Sequence, residues 1–542
     1  MSEHLVVSRR TTLQAAVGLS LGAVAGCSTG APAENPPGRR TAVPLPTYRP
    51  YAGVKPDLEP SAAGVMAGFL SYPRRQVPMH DRAPATSGSL LAMSRTDGSA
   101  PPPLPNNRYW QDLNRRLGLE LRVNLTPPSD YASKFATVVA GNDLPDLAMA
   151  MPGSVPRFPD LLAARFADLS DLLSGDAVAD YPALANIPSH SWQGAIFDGR
   201  IYGIPIHRGV VGSLMLCRSD LFRSLDRPIE AADADAFVEL CRGLTDARNG
   251  RWALGDPLTT ATFALELFDG PNRWQEQGGS FVSVYESPAM KEALEFVGRL
   301  WREGLIHPDG FTAGENVNTW LMSGAIAMSY NSYNAWQGLA REAMATDPSI
   351  IFDVLDTPGA EGGSVRKFLS AGVFSLTVFK KSEPARLAEL LRIADWLASP
   401  FGTEEYLFVR YGIEGHNFTW EDAEPVSTKA GMDERRVPAS YLAAAPAVLY
   451  LPGLPDDTRR AHAYQERTVP NGKQDPTLGL FSNAASERGG ALERDLLALQ
   501  AEIIKGDAPV TDWDAGVARW RSGGGDEIRA EYEQAFAKAA GR

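Results

Sequence analysis

Aromatic and amide side chains alternate in residues 329–336, which read Ser-Tyr-Asn-Ser-Tyr-Asn-Ala-Trp and follow an apolar segment directly. Sugars bind by stacking their apolar faces on aromatic rings, while planar polar side chains take their hydroxyl groups. This mixture predicts sugar-binding chemistry. The alternative interpretation is that the aromatic residues belong to the core and the asparagines cap a helix. The candidates in this stretch are Tyr330, Asn331, Tyr333, Asn334 and Trp336.

Three other stretches offer side chains of the same kinds. One is a short strand pattern that ends at residues 207–208, another is a loop at residues 272–274, and the third is a glycine-flanked loop at residues 411–420. An indole in such a loop has little core to bury in, whereas we expect Trp192 to serve packing. From these stretches we add the following candidates for ligand binding: Tyr202, His207, Arg208, Trp274, Glu414 and His416.

Patterns for covalent catalysis are weak. A nucleophile-elbow pattern at residues 18–22 lies inside an N-terminal segment that we expect to be removed, and Ser364-x-x-Lys367 lacks its companion motifs. The histidines and cysteines form neither His-Glu-x-x-His nor Cys-x-x-Cys. We therefore expect no catalytic residues, no cofactor and no metal. Two carboxylates that meet only in space remain possible, which leaves a cell-surface glycoside hydrolase as the alternative from another class.

The N-terminus carries an export address. Arg9 and Arg10 precede a short apolar run, and Val-Ala-Gly leads to Cys27 in a pattern that resembles a bacterial lipobox. We expect residues 1–26 to be a twin-arginine signal, Cys27 to be lipidated, and residues 27–50 to be a disordered tether rich in Gly, Pro, Ala and Thr. These features predict a protein held by lipid at the extracytoplasmic face of the cell membrane.

Size and charge limit the possible partners. Without the signal, 516 of 542 residues remain, which is too many for one core and suits two lobes. The formal net charge of -13 disfavours binding to nucleic acid or to anionic lipid, so membrane contact is left to the lipid anchor. Cys217 and Cys241 could pair in an oxidising compartment, although two small buried thiols are the expected state.

Strand and helix patterns alternate once an irregular, proline-rich extension at residues 51–86 ends. Strand patterns at 89–93, 119–123 and 144–149 are separated by helical patterns at 106–117 and 130–140, which is typical of a parallel α/β sheet. Ligands of such sheets gather outside the carboxyl ends of the strands. The loops at 94–97, 151–154 and 207–208 are therefore expected to face a ligand.

Ordered motifs run through the chain from about residue 89 to 535. They are Gly-Asn-Asp-Leu-Pro-Asp at 141–146, Asp-Gly-Arg-Ile-Tyr-Gly-Ile-Pro at 198–205, Gly-Leu-Ile-His-Pro-Asp at 304–309, Tyr-Gly-Ile-Glu-Gly at 411–415, Ile-Ile-Lys-Gly at 503–506 and Asp-Trp-Asp at 512–514. With the lipobox, this set resembles the extracellular solute-binding proteins of bacterial ABC importers, in the oligosaccharide-binding lipoprotein branch.

The resemblance implies an α/β fold of two lobes, each a mostly parallel sheet flanked by helices, joined by hinge crossovers. We place lobe 1 at 87–206 and 371–420, and lobe 2 at 207–370 and 421–542. The implied function is that a monomeric, membrane-anchored receptor captures an oligosaccharide between the lobes and delivers it to an ABC permease without acting as an enzyme. A non-sugar solute remains an alternative.

Two details depart from, or extend, the family pattern. Many relatives carry a calcium loop where this chain has Asp246 and Asn249 but lacks the acidic pair, so we expect no calcium there. Some relatives accept uronic-acid oligomers, and Arg95, Arg208 and Arg273 could hold carboxylates. Because the whole surface is acidic, we expect a neutral or weakly acidic ligand and keep an acidic one as the alternative.

Overall fold

The computed structural model describes residues 43–96 and 99–539. The predicted signal, the lipidation site at Cys27, the tether up to residue 42, and Asp97 lie outside the described residues. Residues 43–50, which were predicted to belong to the disordered tether, instead pack on lobe 1. The backbone N–H groups of Thr47 and Arg49 donate to the carbonyl oxygens of Gly175 and Ala185 at 2.9 and 2.8 Å.

Strands and helices alternate along the described chain. The strands are β1 (Ser89–Arg95), β2 (Glu120–Thr126), β3 (Leu147–Ala150), β4 (Ile196–Phe197), β5 (Arg200–Ile201), β6 (Gly203–His207), β7 (Ser213–Arg218), β8 (Trp252–Leu254), β9 (Trp274–Gln277), β10 (Ser280–Ser283), β11 (Ile326–Ser332), β12 (Phe352–Leu355), β13 (Val373–Phe379), β14 (Phe418–Glu421) and β15 (Glu424–Ser427).

The α-helices are α1 (Arg108–Leu117), α2 (Pro128–Ala140), α3 (Phe158–Arg165), α4 (Ser170–Leu173), α5 (Pro182–Ala185), α6 (Ser189–Trp192), α7 (Ser219–Ser224), α8 (Ala234–Leu244), α9 (Pro257–Leu267), α10 (Pro288–Arg302), α11 (Val317–Ser323), α12 (Tyr333–Thr346), α13 (Pro384–Leu397), α14 (Glu404–Tyr411), α15 (Lys429–Glu434), α16 (Pro455–Thr468), α17 (Gly490–Lys505), α18 (Asp512–Trp520) and α19 (Asp526–Ala539). None of the helices in the described part of the chain is both long and apolar enough to cross a membrane.

Helix α1 shows how the local sequence specifies these elements. The Asn107 side chain accepts the backbone N–H of Trp110 and so caps the first turn. Leu113 and Leu117 recur on the buried face with Trp110. Gly118 ends the helix at φ 74°, a conformation that glycine adopts without steric cost. The predicted helix at 106–117 is therefore confirmed to within two residues.

Two mixed sheets form the cores of the two lobes. In lobe 1 the strand order is β2-β1-β3-β13-β6, and β13 runs against the other four strands. In lobe 2 the order is β12-β7-β11-β8, and β7 runs against the other three. Each sheet is thus mixed, with one strand reversed relative to the others. The predicted two-lobe α/β fold class is confirmed.

The lobe boundaries differ from the prediction after residue 420. Val437, Ala439, Leu442 and Ala443 are buried in the core of lobe 1, although residues 421–542 were predicted to belong to lobe 2. From the two sheets and their core clusters, we refer to residues 87–207 and 373–443 as lobe 1 and to residues 213–368 and 455–539 as lobe 2. The chain crosses between them at 208–212, 369–372 and 444–454.

Residues 51–86, which we call the belt, pack on both lobes. Val65 and Met66 are buried in the core of lobe 2, and Phe69 and Tyr72 pack around Phe401 of lobe 1. At residue 68 the belt pairs with Leu449 in the third crossing segment. The proline-rich extension is therefore an ordered connection that runs beside the hinge.

Candidate functional site

Two arginines and two aromatic rings converge at one edge of the lobe 1 sheet. The guanidinium carbons of Arg95 and Arg208 lie 4.7 and 5.0 Å from the centre of the Phe374 ring. The Tyr441 ring lies 5.4 Å from Phe374 and 5.8 Å from the guanidinium of Arg95. We call these four residues the cleft platform. It offers aromatic faces and cationic donors in one place.

The topology explains why these residues meet. Arg95 is the last residue of β1, and Arg208 follows the end of β6, which runs in the same direction. Phe374 is near the start of β13, and because β13 is reversed its start lies at the edge where β1 and β6 end. The first two crossing segments leave from this same edge, so the platform faces lobe 2.

Gly372 lies in the second crossing segment, two residues before Phe374 of the cleft platform. It has φ +65°, and a Cβ there would lie 3.0 Å from the His190 ring, so both the backbone conformation and the space require glycine. Its carbonyl oxygen accepts the backbone N–H of Arg208 at 2.9 Å. The first two crossing segments are thereby joined at the hinge.

His207 is buried where two of the crossing segments meet. It is 4% exposed, and its Nδ1 accepts the backbone N–H of Ala447 at 2.9 Å, which ties the first crossing segment to the third. Burial, with smaller effects of His190 and Arg208, lowers the pKa of His207 to about 3. The imidazole is therefore neutral. In this arrangement the ring is buried, and contact of His207 with sugar hydroxyls stays a prediction.

The aromatic rings of residues 329–336, predicted to form a platform for sugar, are also buried. Tyr333 and Trp336 are each 2% exposed and belong to the core of lobe 2. Tyr330 is 6% exposed, and its hydroxyl donates to Glu266 at 2.9 Å. The burial of these three rings favours the core interpretation, and their contact with a ligand stays a prediction.

The two asparagines of that stretch lie at the lobe 2 edge where β11 ends. Asn331 is half-buried, and its Nδ2 donates to Oδ1 of Asn318 at 2.8 Å. Asn334 is exposed, and its backbone N–H donates to Oγ of the helix-capping Ser332. Contact of Asn331 and Asn334 with a ligand stays a prediction.

The loop at 272–274 serves packing and hinge support. Trp274 is buried against Phe281, Trp520 and Tyr532. Stacking of its indole on a sugar stays a prediction. The Asn272 amide donates at 2.8 Å to the carbonyl oxygens of two other segments, at residues 369 and 473. Arg273 is exposed, with its Nε 3.6 Å from Asp475.

The remaining candidates lie in lobe 1. Tyr202 is 5% exposed within the core, and its contact with a ligand stays a prediction. His416 is half-buried, with its Nε2 2.9 Å from Glu434 and its Nδ1 3.3 Å from Arg108. Glu414 is exposed. Arg108 is the first residue of α1, the helix that follows β1. Contact of Glu414 and His416 with a ligand at this end of lobe 1 stays a prediction.

Phe374 and Tyr441 were missed as site residues. Phe374 lies in an apolar strand pattern, which predicts core, and only the reversed direction of β13 brings it to the functional edge. Tyr441 lies in a segment without a strong pattern and was assigned to lobe 2. The sequence signal that could have located the platform was the pair Arg95 and Arg208. Both lie at the ends of strands, and both were named as residues that could hold carboxylates.

Within the described ranges, no three or more His, Cys, Asp or Glu side chains are arranged to hold a metal ion. In the region of the calcium loop of relatives, the Asn249 amide donates to the Asp246 carboxylate at 2.7 Å, which closes a turn. Cys217 and Cys241 are both buried free thiols, which agrees with the expected state.

The chain is similar to proteins of one family. The family model described as bacterial extracellular solute-binding protein matches residues 107–403, more than half of the chain. The polygalacturonan/rhamnogalacturonan-binding protein YtcQ of Bacillus subtilis (strain 168) is 24% identical over 451 residues, which cover 80% of this chain and 89% of YtcQ. Lipoprotein LipO of the same organism is 22% identical over 454 residues, covering 78% of this chain and 88% of LipO.

Solved structures match the same architecture. The N-glycan transport solute binding protein NgtS of Streptococcus pneumoniae is similar with a TM-score of 0.61 and 12% identity, covering 84% of this chain and all (100%) of NgtS. The alginate-binding protein AlgQ2, in its calcium-free crystal structure, gives a TM-score of 0.60 and 16% identity, covering 85% of this chain and 99% of AlgQ2. At these identities the similarity concerns the fold.

Proposed function

Because this chain belongs to the bacterial extracellular solute-binding protein family, we propose that it captures an oligosaccharide between its lobes and delivers it to an ABC permease. The observation that carries the proposal is the cleft platform at the hinge-side edge of lobe 1. Hinge closure of lobe 2 over this edge would remove a bound ligand from water.

Aromatic faces at the platform support a sugar ligand. Phe374 and Tyr441 are both half-buried, so part of each ring is left uncovered by protein. Their centroids lie 5.4 Å apart with 30° between the ring planes, so the two rings contact each other and form one aromatic surface. Apolar contact would supply affinity, and polar groups at the edge would fix the orientation of the ligand.

The two guanidinium groups favour the acidic alternative over a neutral sugar. Each lies within 5.0 Å of the same ring centre, so two guanidinium groups lie close together in a protein whose net charge is -13. Guanidinium groups bind carboxylates through parallel hydrogen bonds, and the uronate of an acidic sugar presents such a carboxylate. The relative YtcQ is named for binding polygalacturonan and rhamnogalacturonan, which agrees with this choice.

Calorimetric titration tests the proposal with oligogalacturonides and with neutral galacto-oligosaccharides of equal length. We expect the acidic ligands to bind, to raise Tm and to remain uncleaved. Arg95→Gln and Arg208→Gln should each weaken the acidic ligand about tenfold or more, because a charge-assisted hydrogen bond contributes roughly 1.5–3 kcal/mol.

Arg116→Gln is the matched control, since Arg116 also lies over a phenylalanine of lobe 1, at 4.2 Å from the Phe408 ring, but on helix α1. It should leave affinity unchanged. Equal affinity for acidic and neutral ligands would reject the acidic class, absence of binding by any oligosaccharide would reject the sugar, and rapid cleavage would favour the glycoside hydrolase.

We further propose that Cys27 carries the lipid anchor and that Arg9 and Arg10 direct export of the folded chain. The support is the lipobox pattern and the similarity to a protein named as a lipoprotein. Cys27→Ser should move the protein from the membrane fraction to the medium, and lysine at both arginine positions should block export. Retention of Cys27→Ser in the membrane fraction would reject the anchor.

A further inference from the structure

Four arginines outside the cleft platform lie where lobe 1 faces helix α12 of lobe 2. Arg108 is the first residue of α1, Arg410 lies in the last turn of α14, and Arg435 follows the end of α15. Arg341 belongs to α12 and is the only one of the four that lobe 2 supplies. We call these four residues the arginine cluster.

Hydrogen bonds between three elements assemble the lobe 1 part of the cluster. Tyr109, the neighbour of Arg108, donates its hydroxyl to the main chain of α14 at 3.3 Å. The backbone N–H of Tyr109 donates to the Glu434 carboxylate at 3.1 Å. Nη1 of Arg435 donates to the carbonyl oxygen of Arg410. The ends of α14 and α15 and the start of α1 are therefore joined next to their arginines.

The third crossing segment brings α12 to the same place. Leu449 and Leu451 are buried in the core cluster that contains Leu339 of α12. Tyr450, which lies between them in the sequence, packs in the aromatic cluster that contains Tyr411 of α14. The segment is thus packed against both helices, and α12 and α14 meet across it at the lobe boundary.

The positive charges of the cluster act on one another across this boundary. Partial burial, followed by the charge of Arg410, lowers the pKa of Arg341. Burial also lowers the pKa of Arg435, and the charges of Arg410 and Arg341 add to that effect. Like charges raise the free energy of such an arrangement unless a negative charge lies between them.

Among the residues that the structure describes, no carboxylate fills that place. The hydrogen bonds of the four guanidinium groups go to His416, Ser427 and main-chain carbonyl oxygens. The Nε atom of Arg435 is buried without a hydrogen-bond partner. The other three arginines keep exposed surface, so a small solute can reach the cluster.

Carboxylates on the same elements are used elsewhere. The Glu434 carboxylate accepts hydrogen bonds from a histidine, an asparagine and the backbone of α1. Asp433 forms ion pairs with a lysine and with Arg436, which is not part of the cluster. The cluster therefore keeps its positive charge within a protein whose net charge is -13.

We propose that the arginine cluster binds a small oxyanion, such as inorganic phosphate or sulfate, and that the bound anion holds α12 of lobe 2 to lobe 1. Guanidinium groups bind such anions through parallel N–H···O hydrogen bonds. A doubly charged anion between the arginines replaces their mutual repulsion by attraction. The site needs no oligosaccharide, so it stands apart from the proposed function.

Thermal unfolding in sodium phosphate, sulfate or chloride, at equal ionic strength and neutral pH, tests the site. Phosphate and sulfate stabilise folded proteins in general, so the relevant quantity is the difference between the unmodified protein and its variants. Arg341→Gln and Arg410→Gln remove one charge from each side of the boundary. Arg519→Gln is the matched control, because Arg519 is exposed on α18 of lobe 2. Phosphorus NMR during a phosphate titration gives the Kd of each protein.

We expect phosphate to raise the Tm of the unmodified protein and of Arg519→Gln to a plateau. Arg341→Gln and Arg410→Gln should each bind phosphate about tenfold or more weakly. In chloride both variants should melt at the same temperature as the unmodified protein or above it, because each substitution removes a like charge. A purely structural role of these arginines would instead lower Tm in every salt.

Three results would overturn the site. They are absence of phosphate and sulfate binding, an equal response of all four proteins to phosphate, and a lower Tm of both variants in every salt. Displacement of bound phosphate by an oligogalacturonide would also overturn an independent anion site, because the cluster would then belong to the oligosaccharide. Failure of the protein to bind any oligosaccharide would reject the proposed function and leave the anion site intact.

Discussion

At the scale of single residues, Glu266 joins four segments of lobe 2 behind the cleft. Its carboxylate is 0% exposed and accepts the Tyr330 hydroxyl, the Thr357 hydroxyl and the backbone N–H of Phe368 at 2.9, 3.1 and 3.0 Å. Lys367 completes the site as its ion-pair partner. A buried charge is tolerated only when it is paired and hydrogen-bonded, and here each acceptor position is used.

Lys367→Met should therefore destabilise the protein by about 3–5 kcal/mol, because it leaves the Glu266 carboxylate buried without a cation. The double variant Glu266→Gln with Lys367→Met removes both charges and should recover part of that loss. Urea unfolding of the two variants measures the difference. A double variant that is no more stable than Lys367→Met would show that the cost comes from packing instead of charge.

Asp395 gives a pH dependence of opposite sign to the usual carboxylate. Burial raises its pKa to about 7, although it accepts the backbone N–H groups of Ala183 and Leu184 at 2.8 and 2.9 Å. The folded-state pKa thus exceeds the unfolded value of 3.8. The stabilisation is fully present below pH 3.8 and is lost as the pH rises through about 7.

Asp395→Asn should remove this dependence, since an amide oxygen can still accept both N–H groups but does not ionise. Relative to the variant, the unmodified protein should lose stability between pH 4 and pH 7, by about 1.4 kcal/mol for each unit of pKa shift. His80, whose Nε2 is 3.9 Å from Asp395, and the nearby Glu405 are present in both proteins. If the free energies of unfolding of the two proteins change in parallel across this pH range, the pH dependence assigned to Asp395 is contradicted.

The sequence of residues 329–336 shows why side-chain roles were the hardest to predict. The sequence identifies a polar and aromatic stretch after a strand, and the structure confirms that β11 ends and α12 begins there. Which face each ring occupies depends on partners far along the chain. Tyr333, for example, is buried because its hydroxyl donates to Ala461 of α16 and accepts from Gln465.

At the scale of elements, periodicity predicted the parallel part of lobe 1 well. The patterns at 89–93, 119–123 and 144–149 correspond to β1, β2 and β3. Strand direction was not predictable for β13, because a buried apolar strand has the same pattern in either direction. That direction places Phe374 at the functional edge, so the missed site residue and the missed topology have one cause.

The belt is an element that irregular sequence conceals. Its residue Tyr72 is 1% exposed. Four aromatic rings pack around it, with their centroids 5.0 to 5.8 Å from the centroid of the Tyr72 ring. The Tyr72 hydroxyl has no hydrogen-bond partner among the described residues. The ring and the hydroxyl of Tyr72 therefore contribute differently to stability, and two substitutions can test them separately.

Tyr72→Ala should destabilise the attachment of the belt to lobe 1 by about 3–5 kcal/mol, as expected for removal of a buried aromatic ring. Tyr72→Phe should be neutral or stabilising by about 1 kcal/mol, because it removes an unpaired buried hydroxyl. Limited proteolysis within residues 51–86 and Tm measure both variants. Greater belt cleavage in Tyr72→Phe than in the unmodified protein would contradict this assignment.

At the scale of the whole molecule, the hinge is a set of joined crossings. Gly372 links the first and second crossing segments, and His207 links the first to the third. The belt adds a parallel connection, since Met66 donates its backbone N–H to Gln465 of lobe 2 at 2.9 Å. Under the proposed function, a rotation of the lobes would therefore have to move these joined crossings together.

Charge at this scale sets the kinetics of binding. At long distance an acidic oligosaccharide experiences the electrostatic field of the whole protein, whose net charge is -13. The two platform arginines contribute only a small part of that field, so the ligand is repelled. The Debye length falls from about 30 Å at 0.01 M to about 8 Å at 0.15 M ionic strength. Added salt should therefore raise the association rate constant for oligogalacturonides severalfold, whereas exposed ion pairs elsewhere contribute little to affinity.

The dissociation rate constant should respond less to salt the better the closed cleft excludes water. Guanidinium–carboxylate contacts enclosed between the lobes are screened less than exposed ones, so we expect dissociation to accelerate less than association. Stopped-flow measurements at several salt concentrations test both constants, with a neutral galacto-oligosaccharide as the control that should show no salt dependence. If association with the acidic ligand slows as salt is added, the local positive field of Arg95 and Arg208 governs the approach, and long-range repulsion does not.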